Sequence, residues 1–134
     1  MSKQKHWSHA KDGCLTDCVA RIFNVHPETV PLFVAHKEWP KKLKAYFRRR
    51  GMGIKQIGWD REWMAKCPTM ITIVVGTSWS GPRTYHAVLY RGAERFYDPA
   101  SGQRYIKGRP INVWLPYRLD DKRSHTIVPR AKIP

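Results

Sequence analysis

The chain has 134 residues, with 25 lysines and arginines against 10 aspartates and glutamates, which gives a formal net charge of +15. Hydrophobic residues make up 42% of it, and six Trp, six Tyr and four Phe can bury a core, so the composition excludes a disordered basic tail. The sequence has no apolar run long enough to span a membrane and no apolar stretch near its start, so we expect a cytoplasmic protein without membrane insertion. The charge indicates an acidic partner but does not identify it.

The length fits a single folded unit, which we place at residues 13–117. An N-terminal arm at 1–12 precedes it and a C-terminal tail at 118–134 follows it. The three cysteines are too few, and odd in number, for a disulfide framework, and this favours reduced thiols.

The first half of the chain has helical periodicity. Apolar residues at helical spacing predict a helix over 14–24, with Asp12 and Gly13 where its N-cap belongs and its end set by the Val25-His26-Pro27 step. Residues 32–50 predict one or two further helices, the second starting at Pro40 and ending at Gly51.

The second half changes to short β-branched and aromatic runs separated by Gly, Pro and Ser. These runs predict strands over 70–76, 85–91, 95–98 and 111–115. Helices followed by strands are typical of an α+β domain, in which N-terminal helices pack on a C-terminal antiparallel sheet.

One cysteine stands where a helix begins. Cys14 is predicted in the first turn, where the helix dipole favours a thiolate, so we expect it to be alkylated well below pH 8. A thiolate nucleophile needs an imidazole and an acceptor that orients it, which His86 and Asp98 can supply.

The loop between the strands that contain His86 and Asp98 decides whether the two side chains lie on the same face of the hairpin. A three-residue loop at 91–93 would place His86 directly opposite Asp98, with their Cβ atoms about 5 Å apart. A two-residue loop, Gly92-Ala93, would place them on opposite faces unless a β-bulge shifts the register. The triad therefore predicts an odd loop or a bulge.

The order of these segments resembles the papain-like cysteine peptidases, and most closely the branch that processes bacteriocin leaders. The matching segments are DGCLTDCVARIF from Asp12, HAVLY from His86 and YDPASG from Tyr97. The stretch that starts at Asp12 also resembles the opening of small phage and bacterial proteins of that clan. The resemblance covers roughly residues 10 to 105 and implies a papain-like fold.

The resemblance implies a thiol hydrolase that cleaves a peptide or isopeptide bond without a cofactor. Cys14 is then the nucleophile, His86 the general base and acid, and Asp98 the residue that orients His86. The oxyanion hole would use the Cys14 backbone N–H and a side chain upstream. The family usually has Gln six residues before the cysteine, where this chain has Ser8; Gln4 is ten residues before. An acyltransferase of the same clan has the same pattern.

Plainer interpretations stand beside these. Cys14 can be a buried structural thiol, Cys18 a core residue one turn further along the helix, and Asp98 the cap of the turn that follows it. A zinc site built from His6, His9, Cys14 and Cys18 is the metal alternative, but the spacing is not a standard one, and we expect no metal.

A basic segment is the remaining feature. Residues 37–55 contain eight lysines and arginines against one glutamate. We expect a binding surface for an acidic protein or nucleic acid, formed by Lys41, Lys42, Lys44, Arg48, Arg49 and Arg50. The substrate is then a protein or peptide, acidic where this surface selects it. The alternative is an idle papain-like protein of phage type, which binds a host protein or nucleic acid through this surface in the host cytoplasm.

Overall fold

The computed structural model of the chain describes residues 13–79, 84–100 and 104–120. Within them, helices α1, α2 and α3 span Cys14–Phe23, Trp39–Arg48 and Arg61–Ala65, and 3-10 turns occupy Pro27–Thr29 and Phe33–Ala35. Strands β1 to β5 span Met52–Ile57, Ile71–Thr77, Tyr85–Arg91, Glu94–Tyr97 and Lys107–Arg118. The α+β prediction is confirmed. None of the described helices has the length and apolar character needed to cross a membrane.

Helix α1 is bounded by Gly13 at its N-cap and Asn24 at its C-cap. Gly13 occupies its N-cap and offers no side-chain hydrogen bond. At the other end Asn24 takes a left-handed conformation with φ of 55°, and its N–H donates to the carbonyls of Ala20 and Arg21. Asparagine tolerates this conformation, so the helix ends at Phe23, four residues before Pro27, and the proline is not what stops it.

The five strands form one antiparallel sheet in the order β1-β5-β2-β3-β4. Strand β5 is longer than the predicted 111–115, because it pairs with β1 along one side and with β2 along the other. It continues to Arg118, and the Leu119 N–H donates to Gly51 O. The predicted boundary at 117 therefore falls inside the sheet, and residues 121–134 of the predicted tail lie outside the described residues.

The sheet has a buried cluster on each face. On one face α1 and α2 pack against Ile54, Ile73, Ala87, Leu89 and Trp114. On the other face Met64 of α3 packs against Ile57, Val74, Val88, Tyr90, Ile106, Val113 and Leu115. The fold therefore has three layers, and β3 contributes alternate residues to both clusters.

The β3–β4 hairpin decides between the two predicted loops. Arg91 faces Glu94, so the turn has two residues, and Gly92 adopts φ of +60°. The register then shifts between Leu89 and Tyr90, so that Leu89 faces Tyr97. The three-residue loop was wrong, and the two-residue turn with a β-bulge is what forms.

Candidate active site

His86 and Asp98 form a buried pair beyond the bulge. His86 Nε2 lies 2.6 Å from Asp98 Oδ1, and the side chains are 8% and 0% exposed. An ionised carboxylate can only accept hydrogen bonds, so Nε2 carries the hydrogen and Nδ1 is the basic nitrogen of the ring. The bulge places the two residues diagonally instead of directly opposite, which is within reach of an imidazole and a carboxylate.

Asp98 also holds the chain that follows it. Its Oδ1 accepts from the Ala100 N–H and its Oδ2 from the Tyr105 N–H, both at 2.8 Å. The first bond caps the turn after Asp98, which was the plainer interpretation of this residue, and it coexists with the bond to His86. Three donors around one buried carboxylate fix its position and therefore fix the ring it contacts.

Cys14 and Cys18 both contact the residue that follows His86. The Ala87 N–H donates to Cys14 Sγ at 3.2 Å, and Cys18 Sγ donates to Ala87 O at 3.3 Å. In the β3–β4 register the position facing Ala87 would be that of Pro99. Proline has no N–H, and β4 has already ended at Tyr97. The two thiols of α1 thus take the hydrogen bonds that a longer β4 would have made.

The Cys14 thiol is neutral at rest. Burial raises its pKa to about 11, and the charge of Asp17 adds to the rise, although hydrogen bonds from the backbone of Ala87 and Leu15 act in the opposite direction. Cys14 is only 3% exposed. The expectation of a resting thiolate is therefore wrong, because desolvation outweighs the helix terminus. Burial also raises the pKa of Cys18 well above its ordinary value.

No family model, curated protein or solved structure matches the chain. The evidence for the chemistry of the site is therefore its own geometry.

Of the other predicted site residues, those in the N-terminal arm lie outside the described residues, and Cys18 lies in the core. Ser8 and Gln4, proposed for the oxyanion hole, lie outside the described residues, as do His6 and His9 of the zinc alternative. Among the described residues no three side chains suited to a metal ion lie together. Cys18 is fully buried in the cluster below α1, as its interpretation as a core residue predicted.

The basic residues lie on and after α2, which packs on β1 at the other edge of the sheet. The six predicted residues, Lys41, Lys42, Lys44, Arg48, Arg49 and Arg50, are all exposed. Lys41 pairs with Glu38 at 3.5 Å, and Arg50 turns back over the Tyr46 ring at 3.6 Å. The other four have no acidic partner among the described residues.

Two parts of the site have no side-chain signal in the sequence. The Ala87 backbone receives both cysteines, and the Tyr105 backbone N–H holds Asp98. Every residue type has the same main-chain groups, so the sequence does not reveal which of them will form these bonds. The one signal is Pro99, which cannot extend the pairing of β4 and so leaves a peptide group of β3 without a strand partner.

Proposed function

We propose that the chain is a papain-like thiol hydrolase that cleaves a peptide or isopeptide bond through a thioester on Cys14. One observation carries the proposal: Asp98 holds His86 at 2.6 Å, and the backbone of the next residue, Ala87, holds the sulfur of Cys14 at 3.2 Å. The proposed base and the group that orients it thus lie one residue along β3 from the backbone contact of the proposed nucleophile.

The neutral thiol sets the order of the steps. Cys14 Sγ attacks the carbonyl carbon while its proton passes to His86 Nδ1, the ring nitrogen that Asp98 does not use. The tetrahedral intermediate collapses, the C–N bond breaks, and His86 returns the proton to the leaving amine. Water, deprotonated by His86, then cleaves the thioester and restores the thiol. An amine in place of water gives acyl transfer by the same residues.

Asp98 and the start of α1 stabilise the charges that form. The carboxylate favours the imidazolium of His86, and it is held by Ala100 and Tyr105 independently of the ring. The resemblance assigns the oxyanion to the Cys14 backbone N–H, and Gly13 brings no side chain to compete for it. A donor at such a position contributes about 10²–10³-fold in rate. Ser8 and Gln4 remain our candidates for the second donor.

Covalent labelling tests the proposal. An epoxysuccinyl peptide is incubated with the full chain, and the labelled residue is mapped by mass spectrometry. We expect one label, on Cys14, and a rate lowered about 10²–10⁴-fold in His86→Gln. His36→Gln, at an exposed histidine, is the matched control and should keep the wild-type rate. Labelling of Cys67 alone, or equal rates in the two histidine variants, would contradict the proposal.

A second function is favoured by the charges of α2. Lys41, Lys44 and Arg48 form one stripe at helical spacing, and Lys42 and Arg49 extend it. We propose, as the alternative, an idle hydrolase fold that binds nucleic acid or an acidic host protein through this stripe. Lys41 pairs with Glu38, which leaves four cations of the stripe to neutralise four phosphates. The logarithm of the affinity for a duplex should then fall with the logarithm of the salt concentration with a slope of about −3.6. Binding to a duplex that does not weaken with salt would reject the nucleic-acid form of this alternative.

The cellular location is proposed from the thiols. None of the three cysteines forms a disulfide. A nucleophilic thiol works only when reduced, which fits the cytoplasm, and the host cytoplasm if the chain is encoded by a phage.

A further inference from the structure

An exposed tryptophan with two cations lies beside the proposed active site. Trp79 is 45% exposed, and its indole N–H donates to Arg104 O at 3.2 Å. The guanidinium carbon of Arg104 lies 4.8 Å from the centre of the ring, and Lys107 Nζ lies 5.7 Å from it. Neither cation has an acidic partner among the described residues. We call Trp79, Arg104 and Lys107 the Trp79 shelf.

Backbone connections join the shelf to the His86–Asp98 pair. Arg104 immediately precedes Tyr105, whose N–H donates to Asp98 at 2.8 Å. Lys107 faces Thr77 in the β2–β5 register, and Thr77 faces Tyr85, the residue before His86, in the β2–β3 register. The shelf is therefore at the same end of the sheet as the proposed catalytic residues. Helix α2 packs on β1, the edge strand opposite β4.

The chemistry of the shelf favours a carboxylate over a nucleobase. A base stacks on a ring face that nothing else covers, but here a guanidinium and an ammonium already lie over Trp79. Both cations lie near an exposed ring and lack an acidic partner among the described residues, so an acidic side chain bound there can pair with them.

We propose that the Trp79 shelf is a substrate subsite, which binds one Asp or Glu of the peptide at a fixed position from the scissile bond. The inference rests on the proposed thiol hydrolase and names its substrate class. Two partly exposed ion pairs correspond to about a 2- to 30-fold preference for the acidic peptide. The preference should weaken as salt is added, because exposed charges are screened.

Epoxysuccinyl probes with a tripeptide arm on each side test the subsite. A single Glu is moved through the six positions of an otherwise alanine probe, with a matched Gln series, and the rate of Cys14 labelling is measured. We expect one position at which Glu exceeds Gln, and loss of this difference in the double variant Arg104→Glu, Lys107→Glu. The double variant Arg61→Glu, Lys66→Glu changes the net charge equally at α3, on two exposed residues outside both proposed binding surfaces, and should keep the preference.

The outcomes separate the two proposals. If no probe labels Cys14 of the wild type, the hydrolase and its subsite both fall. If Cys14 is labelled but Glu equals Gln at every position, or the preference persists in the Arg104 and Lys107 double variant, only the subsite is overturned. Equal labelling by the Glu and Gln probes, together with quenching of tryptophan fluorescence by oligothymidine in the wild type but not in Trp79→Phe, would make the shelf a nucleic-acid site and would also overturn the subsite. Unchanged alkylation of Cys14 by iodoacetamide in both double variants shows that the site itself is intact.

Discussion

The substitution Asp98→Asn separates the structural work of this carboxylate from its proposed chemical work. Asp98 accepts three hydrogen bonds, from His86, Ala100 and Tyr105, and its side chain is fully buried. Asparagine has the same shape but only one accepting atom. The substitution therefore changes hydrogen bonds without opening a cavity.

The magnitude follows from the two orientations of the new amide. With its oxygen at the Oδ1 position, it keeps His86 and Ala100 but turns its NH₂ toward the Tyr105 N–H. In the other orientation the amide oxygen still accepts from the Tyr105 N–H, but the NH₂ group faces the Ala100 N–H, so that two donors meet. The NH₂ group then donates to His86 Nε2, and the ring hydrogen moves to Nδ1. Each orientation leaves at least one backbone N–H without an acceptor, which costs about 1–3 kcal/mol. The second also removes the basic nitrogen that Cys14 needs, and we expect Cys14 labelling about 10²–10⁴-fold slower.

Urea unfolding and the rate of epoxysuccinyl labelling are measured on the same samples, under conditions in which the variant is folded. Asp120→Asn is the matched control, because that carboxylate is exposed and pairs with Arg118 at 3.4 Å. It should change the free energy of unfolding by less than about 0.5 kcal/mol. The reasoning is refuted if Asp98→Asn is as stable and as reactive as Asp120→Asn.

Three further predictions concern pH and the backbone. Burial raises the pKa of Asp17 from 3.8 to about 6, so the folded state loses stability as pH rises from about 4 to 6. Asp17→Asn should therefore unfold at a higher urea concentration than wild type at pH 7.5 and at the same concentration at pH 3. Lower stability of Asp17→Asn at pH 7.5 would contradict this. Alkylation of Cys14 in the folded chain should keep rising with pH toward about 11, whereas in the unfolded chain it should level near 9; a plateau below pH 8 in the folded chain would show a thiolate. Gly92→Ala should cost about 1–3 kcal/mol, because φ is +60° and a Cβ would lie 2.9 Å from Pro68 Cα; Gly58→Ala, which meets no atom within 4 Å, should be nearly neutral, and equal costs would contradict the turn geometry.

The sequence predicted the elements whose signals are local. Strand β3 has the predicted bounds, because its apolar run is followed directly by Gly92. Helix α1 starts at Cys14 as predicted, and Pro40 lies in the first turn of α2. These features depend on residues next to one another in the chain, which a sequence pattern records.

The elements that were missed depend on distant partners. Strand β1 contains Gly53, Lys55 and Gln56 and has no alternating apolar pattern; it forms because its whole length pairs with β5. Gly53 is required there by packing, since a Cβ would lie 2.4 Å from the ring of Tyr117. Such pairing overrides local strand propensity.

The candidate site shows the same division. The order of Cys14, His86 and Asp98 and the need for either an odd loop or a bulge were predicted from the sequence, whereas the raised pKa of Cys14 was not. The helix terminus is a local feature, but burial of the sulfur depends on the docking of α1 onto Ala87, about 70 residues away in the chain.

The thioester on Cys14 is the central claim, and trapping it is the most direct test. The chain is mixed with an N-acetylated peptide 4-nitrophenyl ester, quenched in acid within milliseconds, and mapped by mass spectrometry. We expect one acyl group per chain on Cys14, formed in a burst together with nitrophenolate. Neither Cys14→Ala nor His86→Gln should show the burst or the acyl group. An acyl group found only on Cys67, or a burst of equal size in His86→Gln, would contradict the account.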